Sequence, residues 1–156
     1  MKKKNKKVII FDLDGVLINS KKNMEISWNK TRIKFNLKYN FNTYFKEIGK
    51  PFKDILVKIG VKEKFKEIEK NFRLESKKNF NKIKLYKNVI KTLNFLRLKK
   101  KITVGVFTSK DKLRTLIFLR KLKIKVDFVQ CPQTGYKGKP YPDLLNKIIK
   151  ERGLER

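Results

Sequence analysis

Three apolar runs stand out along a chain whose other segments are lysine-rich and amphipathic. The first, KVIIFDLD at residues 7–14, has no polar alternation until Asp12. An unbroken apolar run of this length predicts a strand buried on both faces, as in a parallel α/β sheet. ITVGVFTS at 102–109 predicts a second such strand, ending in two hydroxyls, and VDFVQC at 126–131 a third, shorter one. Residues 21–80 read differently. NMEISWNKTRIKF, FNTYFKEIG, PFKDILVKIG and VKEKFKEIEKNFRLESKKNF carry apolar residues at three-and-four spacing, punctuated by Gly49-Lys50-Pro51 and by Gly60. That spacing predicts a set of short amphipathic helices with no strand among them, cored by Trp28, Phe35, Phe65 and Phe72.

From Tyr86 onward the helical and strand patterns alternate. KNVIKTLNFLRLKKK precedes the second strand, and DKLRTLIFLRKLKI follows it with Ser109 or Asp111 as N-cap. YPDLLNKIIKERG closes the series, with Pro142 near its start and Gly153 as its stop. The order strand, helical insert, helix, strand, helix, strand, helix predicts an α/β fold. No internal repeat and no long Ser/Pro/Gly linker divides the 156 residues, so the helical block reads as an insert in one α/β core.

In open parallel sheets, ligands sit beyond the carboxyl ends of the strands. Asp12-Leu13-Asp14-Gly15, Thr108-Ser109 and Gly138-Lys139-Pro140 each follow one of the three strands. Each alone is an ordinary turn or helix start; all three at strand ends suggest a site. A carboxylate at a strand tip can attack phosphorus. A second one nearby can act as general acid and then as general base. Asp12 and Asp14 would repel, so a hard cation is expected between them, and Mg²⁺ suits oxygen ligands. A hydroxyl at a helix N-terminus, Thr108 with Ser109 beside it, can bind a phosphate oxygen. Lys139 supplies positive charge to the transferring phosphoryl group, with Lys137 as the competitor for that role.

Composition narrows the chemistry. The chain has no histidine and one cysteine, Cys131. An internal disulfide, a His base or ligand and any Ser-His or Cys-His nucleophile pair are therefore excluded; Cys131 reads as a small buried filler. The formal net charge is +29, and 36 of the 43 cations are lysine. A polyanion partner is one reading of that excess. The even spread of lysines and the scarcity of arginine favour a compositional bias toward Lys, Asn, Ile and Phe, with weak, non-specific, salt-sensitive attraction to nucleic acid. The basic stretch at 1–7 leads into only about five apolar residues, too few for a signal peptide or a membrane span. The expectation is a soluble cytoplasmic protein with no membrane partner.

FDLDGVLINS, GVFTSK and GKPYPDLL resemble, in order and spacing, three of the four motifs of the haloacid dehalogenase superfamily of hydrolases. The helical block resembles the cap of its phosphoglycolate phosphatase-like and β-phosphoglucomutase-like branch. The resemblance implies a Rossmann-like parallel core at 1–17 and 85–156 with an inserted helical cap at 18–84. It implies Mg²⁺-dependent hydrolysis of a small phosphorylated metabolite. In that scheme Asp12 becomes an aspartyl-phosphate, and Asp14 protonates the leaving oxygen and later activates water. Thr108, with Ser109, holds the phosphoryl group, and Lys139 steadies Asp12. Mg²⁺ is bound by the Asp12 carboxylate and the Asp14 backbone carbonyl.

The same resemblance calls for a fourth motif, a strand ending in acidic residues that completes the Mg²⁺ site. The sequence to Arg156 carries none; Asp143 belongs to the last helix, and no strand precedes Glu151 or Glu155. The expectation is a chain that stops short of that motif and leaves VIIF as an open sheet edge. Three alternatives accompany it: a degenerate member, a non-catalytic polyanion or nucleic-acid binder, or one half of a split enzyme whose second chain completes the sheet.

Overall fold

The structure, a computed structural model, describes residues 7–99 and 101–153. Residues 1–6, Lys100 and Glu155, on which expectations above also rest, lie outside the described residues. Strands β1 (Lys7–Phe11), β4 (Ile102–Phe107) and β5 (Phe128–Gln130) form a parallel sheet in the order β1-β4-β5. Ile9 pairs with Val104 and Phe11 with Val106, while Val106 pairs with Val129. This register brings the residues that follow β1 and β4 to the same edge of the sheet. β4 is central, and Val104 and Val106 are fully buried. β1 is only half-buried, where the apolar run predicted burial on both faces, because among the described residues it pairs on one side alone.

Helices α5 (Val89–Arg97), α6 (Lys112–Lys121) and α7 (Asp143–Glu151) each bury one narrow stripe, Leu144 and Ile148 in α7 being one turn apart. Leu13, Leu17, Ile18, Leu93, Phe118 and Leu119 join the strand residues in one apolar cluster. Gly105 sits under the ring of Phe128, so close that a Cβ there would lie 2.2 Å from Cζ. Of the two candidate caps for α6, Asp111 serves: its carboxylate accepts the Arg114 backbone N–H at 3.0 Å. Cys131 is buried and unpaired.

Helices α1 (Lys21–Lys34), α2 (Phe41–Phe45), α3 (Phe52–Lys58) and α4 (Phe65–Lys78) enclose a second cluster. Trp28 is fully buried, stacks on Tyr44 at 4.4 Å between centroids, and donates to the Tyr39 carbonyl at 3.0 Å. Phe72 is also buried, whereas Phe35 and Phe65, at the end of α1 and the start of α4, are half-buried at the margin. The Asn23 amide donates to the Ser76 and Asn79 carbonyls at 2.8 and 2.9 Å, and Asn71 donates to Thr31, so polar bonds as well as packing join α1 to α4.

Two short strands that the hydrophobic pattern did not reveal, β2 (Ile18–Asn19) and β3 (Lys84–Leu85), pair antiparallel where the chain leaves the sheet layer and returns. This holds the start of α1 beside the strand tips. No helix among the described residues is long and apolar enough to cross a membrane.

Candidate active site

The first two strand ends meet at a lysine. Asp12 directly follows β1; its Oδ1 accepts the Leu13 backbone N–H at 2.8 Å and lies 3.1 Å from Lys139 Nζ. The same ammonium donates to the Phe107 carbonyl at 2.9 Å and rests 4.6 Å from the centre of the Phe107 ring. Lys139 is thus fixed between β1 and β4. Lys137 is not: its ammonium lies over Tyr141 and its backbone N–H donates to Asp143. Asp12 Oδ2 has no protein partner among the described residues, and Asp12 lines the cavity above the strand tips.

Gly15 has φ +84° and donates its N–H to the Ile18 carbonyl, a tight reversal that turns the chain back just after Asp14. Asp14 has both carboxylate oxygens engaged. Oδ1 accepts the Ser20 hydroxyl at 2.6 Å, and Oδ2 faces Lys110 Nζ at 3.0 Å. The Lys110 side chain is 7% exposed and lies over Phe118. Burial pushes its pKa below the ordinary lysine value, the Asp14 carboxylate opposes that shift, and the Arg114 cation adds to it.

Thr108 is buried; its N–H donates to the Gln130 carbonyl at 3.0 Å and its hydroxyl accepts the Lys110 N–H at 3.2 Å. Helix α6 begins at Lys112, so Thr108 stands on the preceding loop and not at the helix N-terminus, where the sequence pattern put it. Ser109, expected beside the phosphoryl group through its backbone amide or its hydroxyl, lines the same cavity. Its hydroxyl donates to the Gly49 carbonyl of the helical layer, which directs that proton away from a ligand.

Asp12, Asp14, Thr108 and Ser109 line a cavity of about 290 Å³ between the sheet and the helical layer, and Lys139 touches it through Asp12. The helical layer contributes Tyr44, Lys50, Phe72, Glu69 and Arg73 to its wall, and α6 contributes Arg114. Arg73 binds Glu69 at 2.6 Å and reaches across to Asp111 at 3.3 Å. Ser20, Lys110, Arg73, Arg114 and Tyr44 escaped the sequence reading. A lysine among 36 carries no signal, but Arg73 and Arg114 are two of only seven arginines, and that scarcity was the available clue.

For a metal, the donors are hard oxygens. Asp12 offers its carboxylate, and Asp14 offers its main-chain carbonyl, since Ser20 and Lys110 occupy its own carboxylate. Among the described residues no group of three or more Asp, Glu, His or Cys side chains could hold an ion. This donor set fits Mg²⁺, which takes one or two protein ligands and completes its shell with waters and substrate phosphate.

A family model described as haloacid dehalogenase-like hydrolase matches residues 9–156. Among solved structures, a predicted phosphoglycolate phosphatase from Haemophilus somnus is 24% identical with TM-score 0.81, over 99% of this chain and 74% of that one. A hydrolase from Pseudomonas syringae is 21% identical with TM-score 0.83, over 96% of this chain and 71% of the other. A predicted phosphatase from Clostridium acetobutylicum is 20% identical with TM-score 0.76, over 96% and 72%. At these identities the likeness establishes a shared fold. None of the curated proteins matches the chain.

Proposed function

The chain belongs to the haloacid dehalogenase-like hydrolase family, and from that premise we propose that it hydrolyses the phosphate monoester of a small metabolite through an aspartyl-phosphate on Asp12. The observation that carries this reading is the contact of Asp12 with Lys139 beside Thr108. Oδ1 is held by a backbone amide and an ammonium, which leaves Oδ2 as the attacking atom. As the P–O bond to the leaving group breaks, Asp14 gives its proton to the departing oxygen. Water then attacks the aspartyl-phosphate, Asp14 takes the water's proton, and inorganic phosphate is released.

The two oxygens of Asp14 divide this work. Oδ2 faces a cation, whereas Oδ1 meets only the neutral Ser20 hydroxyl, which can rotate from donor to acceptor. Oδ1 is therefore the oxygen that holds and passes the proton. Lys139 and the Thr108 hydroxyl steady charge on the phosphoryl oxygens. Mg²⁺, held by the Asp12 carboxylate and the Asp14 carbonyl, would neutralise further phosphoryl charge when bound.

Residues 18–84 serve in this reading as a cap over a core formed by 1–17 and 85–156. The Ser109–Gly49 hydrogen bond and the Arg73–Asp111 ion pair are the contacts that support it. The test is hydrolysis of p-nitrophenyl phosphate by the purified chain, with and without Mg²⁺, beside Asp12→Asn. We expect Mg²⁺-stimulated turnover that the variant loses by on the order of 10³-fold or more. No turnover from folded wild type, or equal turnover from the variant, would refute the proposal.

A further inference from the structure

Lysines are spread along the whole chain, but acids are not. From Ser76 to Val126 the sequence carries 17 Lys and Arg and one acid, Asp111, which is engaged at the cavity wall by Arg73 at 3.3 Å. This stretch builds α5, β4 and α6. The crossovers from β1 through α5 to β4 and from β4 through α6 to β5 run in one direction across the sheet. Right-handed connections therefore put both helices on one face. Leu93 of α5 and Phe118 and Leu119 of α6 accordingly share one apolar cluster with Val104 and Val106.

The outer sides of these two helices are unusual. A surface helix normally opposes its buried stripe with polar residues. α5 buries Val89 and Leu93, yet it also exposes Phe95 and Leu98, the latter at 80%. α6 buries Thr115, Phe118 and Leu119, yet it exposes Leu116, Ile117 and Leu113, the last at 71%. At about 100° per residue, Phe95 and Leu98 lie opposite the buried stripe of α5, and Leu113 and Ile117 opposite that of α6. Exposed cations border them: Lys91, Arg97 and Lys99 at α5, and Lys112, Arg120 and Lys121 at α6.

We propose that the outer face of α5 and α6 is a peripheral docking surface for an anionic lipid bilayer. The five apolar side chains enter the headgroup region, and the bordering cations meet the lipid anions. Such a contact lies in the interface plane and needs no spanning segment. Charge complementarity selects the occupant, since cations worked in among apolar side chains fit a surface that is anionic outside and apolar beneath. A second copy of the chain would bring another +29 to the contact. Nucleic acid would meet the cations but gain little from leucine and isoleucine, because bases stack on aromatic faces and only Phe95 offers one. None of the five lines the cavity, so this proposal is independent of the hydrolase reading.

The test is flotation of the full chain at physiological salt with vesicles of phosphatidylcholine alone and of equimolar phosphatidylcholine and phosphatidylglycerol. We expect binding to the mixed vesicles and far weaker binding to phosphatidylcholine. Phe95→Ser with Leu113→Ser keeps the net charge and both buried stripes, and should weaken partitioning into the mixed vesicles roughly 10- to 100-fold. The independent pair Leu98→Ser with Ile117→Ser should repeat that loss. Ile33→Ser with Val57→Ser, which removes exposed apolar side chains from the helical layer instead, should leave binding unchanged. Thermal melts show that each variant is folded. No binding to the mixed vesicles, full binding by both α5/α6 variants, or an equal loss in the Ile33/Val57 variant would overturn the proposal. An oligothymidylate that binds more tightly than the vesicles and is released by the same α5/α6 substitutions would also overturn it, and would make this face a nucleic-acid surface.

Discussion

Replacing Lys110 with Met should separate activity from stability. Lys110 Nζ is 3.0 Å from Asp14 Oδ2, and the two side chains are 7% and 14% exposed. A charge-assisted hydrogen bond in such a place is worth about 1.5–3 kcal/mol. If it orients Asp14, its loss slows the acid step by roughly 10- to 100-fold. The effect depends on the leaving group. A nitrophenolate departs with little protonation, whereas an alkoxide needs the proton from Asp14. Lys110→Met should therefore cut kcat/KM for an alkyl phosphate far more than for p-nitrophenyl phosphate.

Stability should respond in the opposite sense. Burial depresses the Lys110 pKa in the folded chain, so at neutral pH its ammonium is less favourable folded than unfolded. Removing it relieves that cost and the repulsion from Arg114, while Asp14 keeps the Ser20 hydroxyl and opens onto the cavity. The melting temperature should stay level or rise. Equal losses on both substrates would show that Lys110 acts on the phosphoryl group or the fold and not through Asp14, and would refute the reasoning.

Two further perturbations test the frame. Glu75 joins α4 to α1 through Lys30 at 3.2 Å, and its own-helix hydrogen bond from Lys78, ahead of Lys30, holds its carboxyl below the usual glutamate range. A depressed carboxyl stabilises above its unfolded pKa and stops doing so as pH falls through the folded one. Glu75→Gln should thus cost about 1 kcal/mol at neutral pH, both lysines being screened, and the difference should vanish in acid; a pH-independent difference in thermal melts would contradict this. Gly105→Ala would place a Cβ 2.2 Å from Phe128 Cζ. Displacing that ring should cost about 1–3 kcal/mol, seen as a lower melting temperature, and an unchanged melt would mean that the ring swings aside freely.

What could be read in advance was whatever a local pattern encodes. The unbroken run before Asp12 placed β1, and hydroxyls after a second such run placed Thr108 near Asp12, because parallel strands in register end together. The apolar run alone predicted burial of β1 on both faces, whereas its half-burial goes with the open edge expected for VIIF, a feature set by neighbouring strands and not by the run itself. Phe35 and Phe65 fit the helical stripe but lie at helix ends, where the stripe runs out of partners. The direction of the Ser109 hydroxyl is set by Gly49, 60 residues away, and no periodicity records such a contact. Ser20 is brought beside Asp14 by the reversal at Gly15, whose N–H donates to the Ile18 carbonyl, a turn that no periodicity records.

The +29 charge takes on meaning at the cavity. Each acid there is met by a cation: Asp12 by Lys139, Asp14 by Lys110, Glu69 by Arg73, and Asp111 by both arginines. With each of these carboxylates beside a cation, the wall keeps an excess of positive charge around Asp12 and Asp14. In a balanced composition the same aspartates would repel a phosphate dianion and leave the whole of that repulsion to a metal. Here fixed cations share the task, which suits a site with few acidic ligands among the described residues. The wider lysine excess adds a long-range attraction for anionic substrates, screened within about 8 Å at physiological salt. It raises how often an anion reaches the cavity.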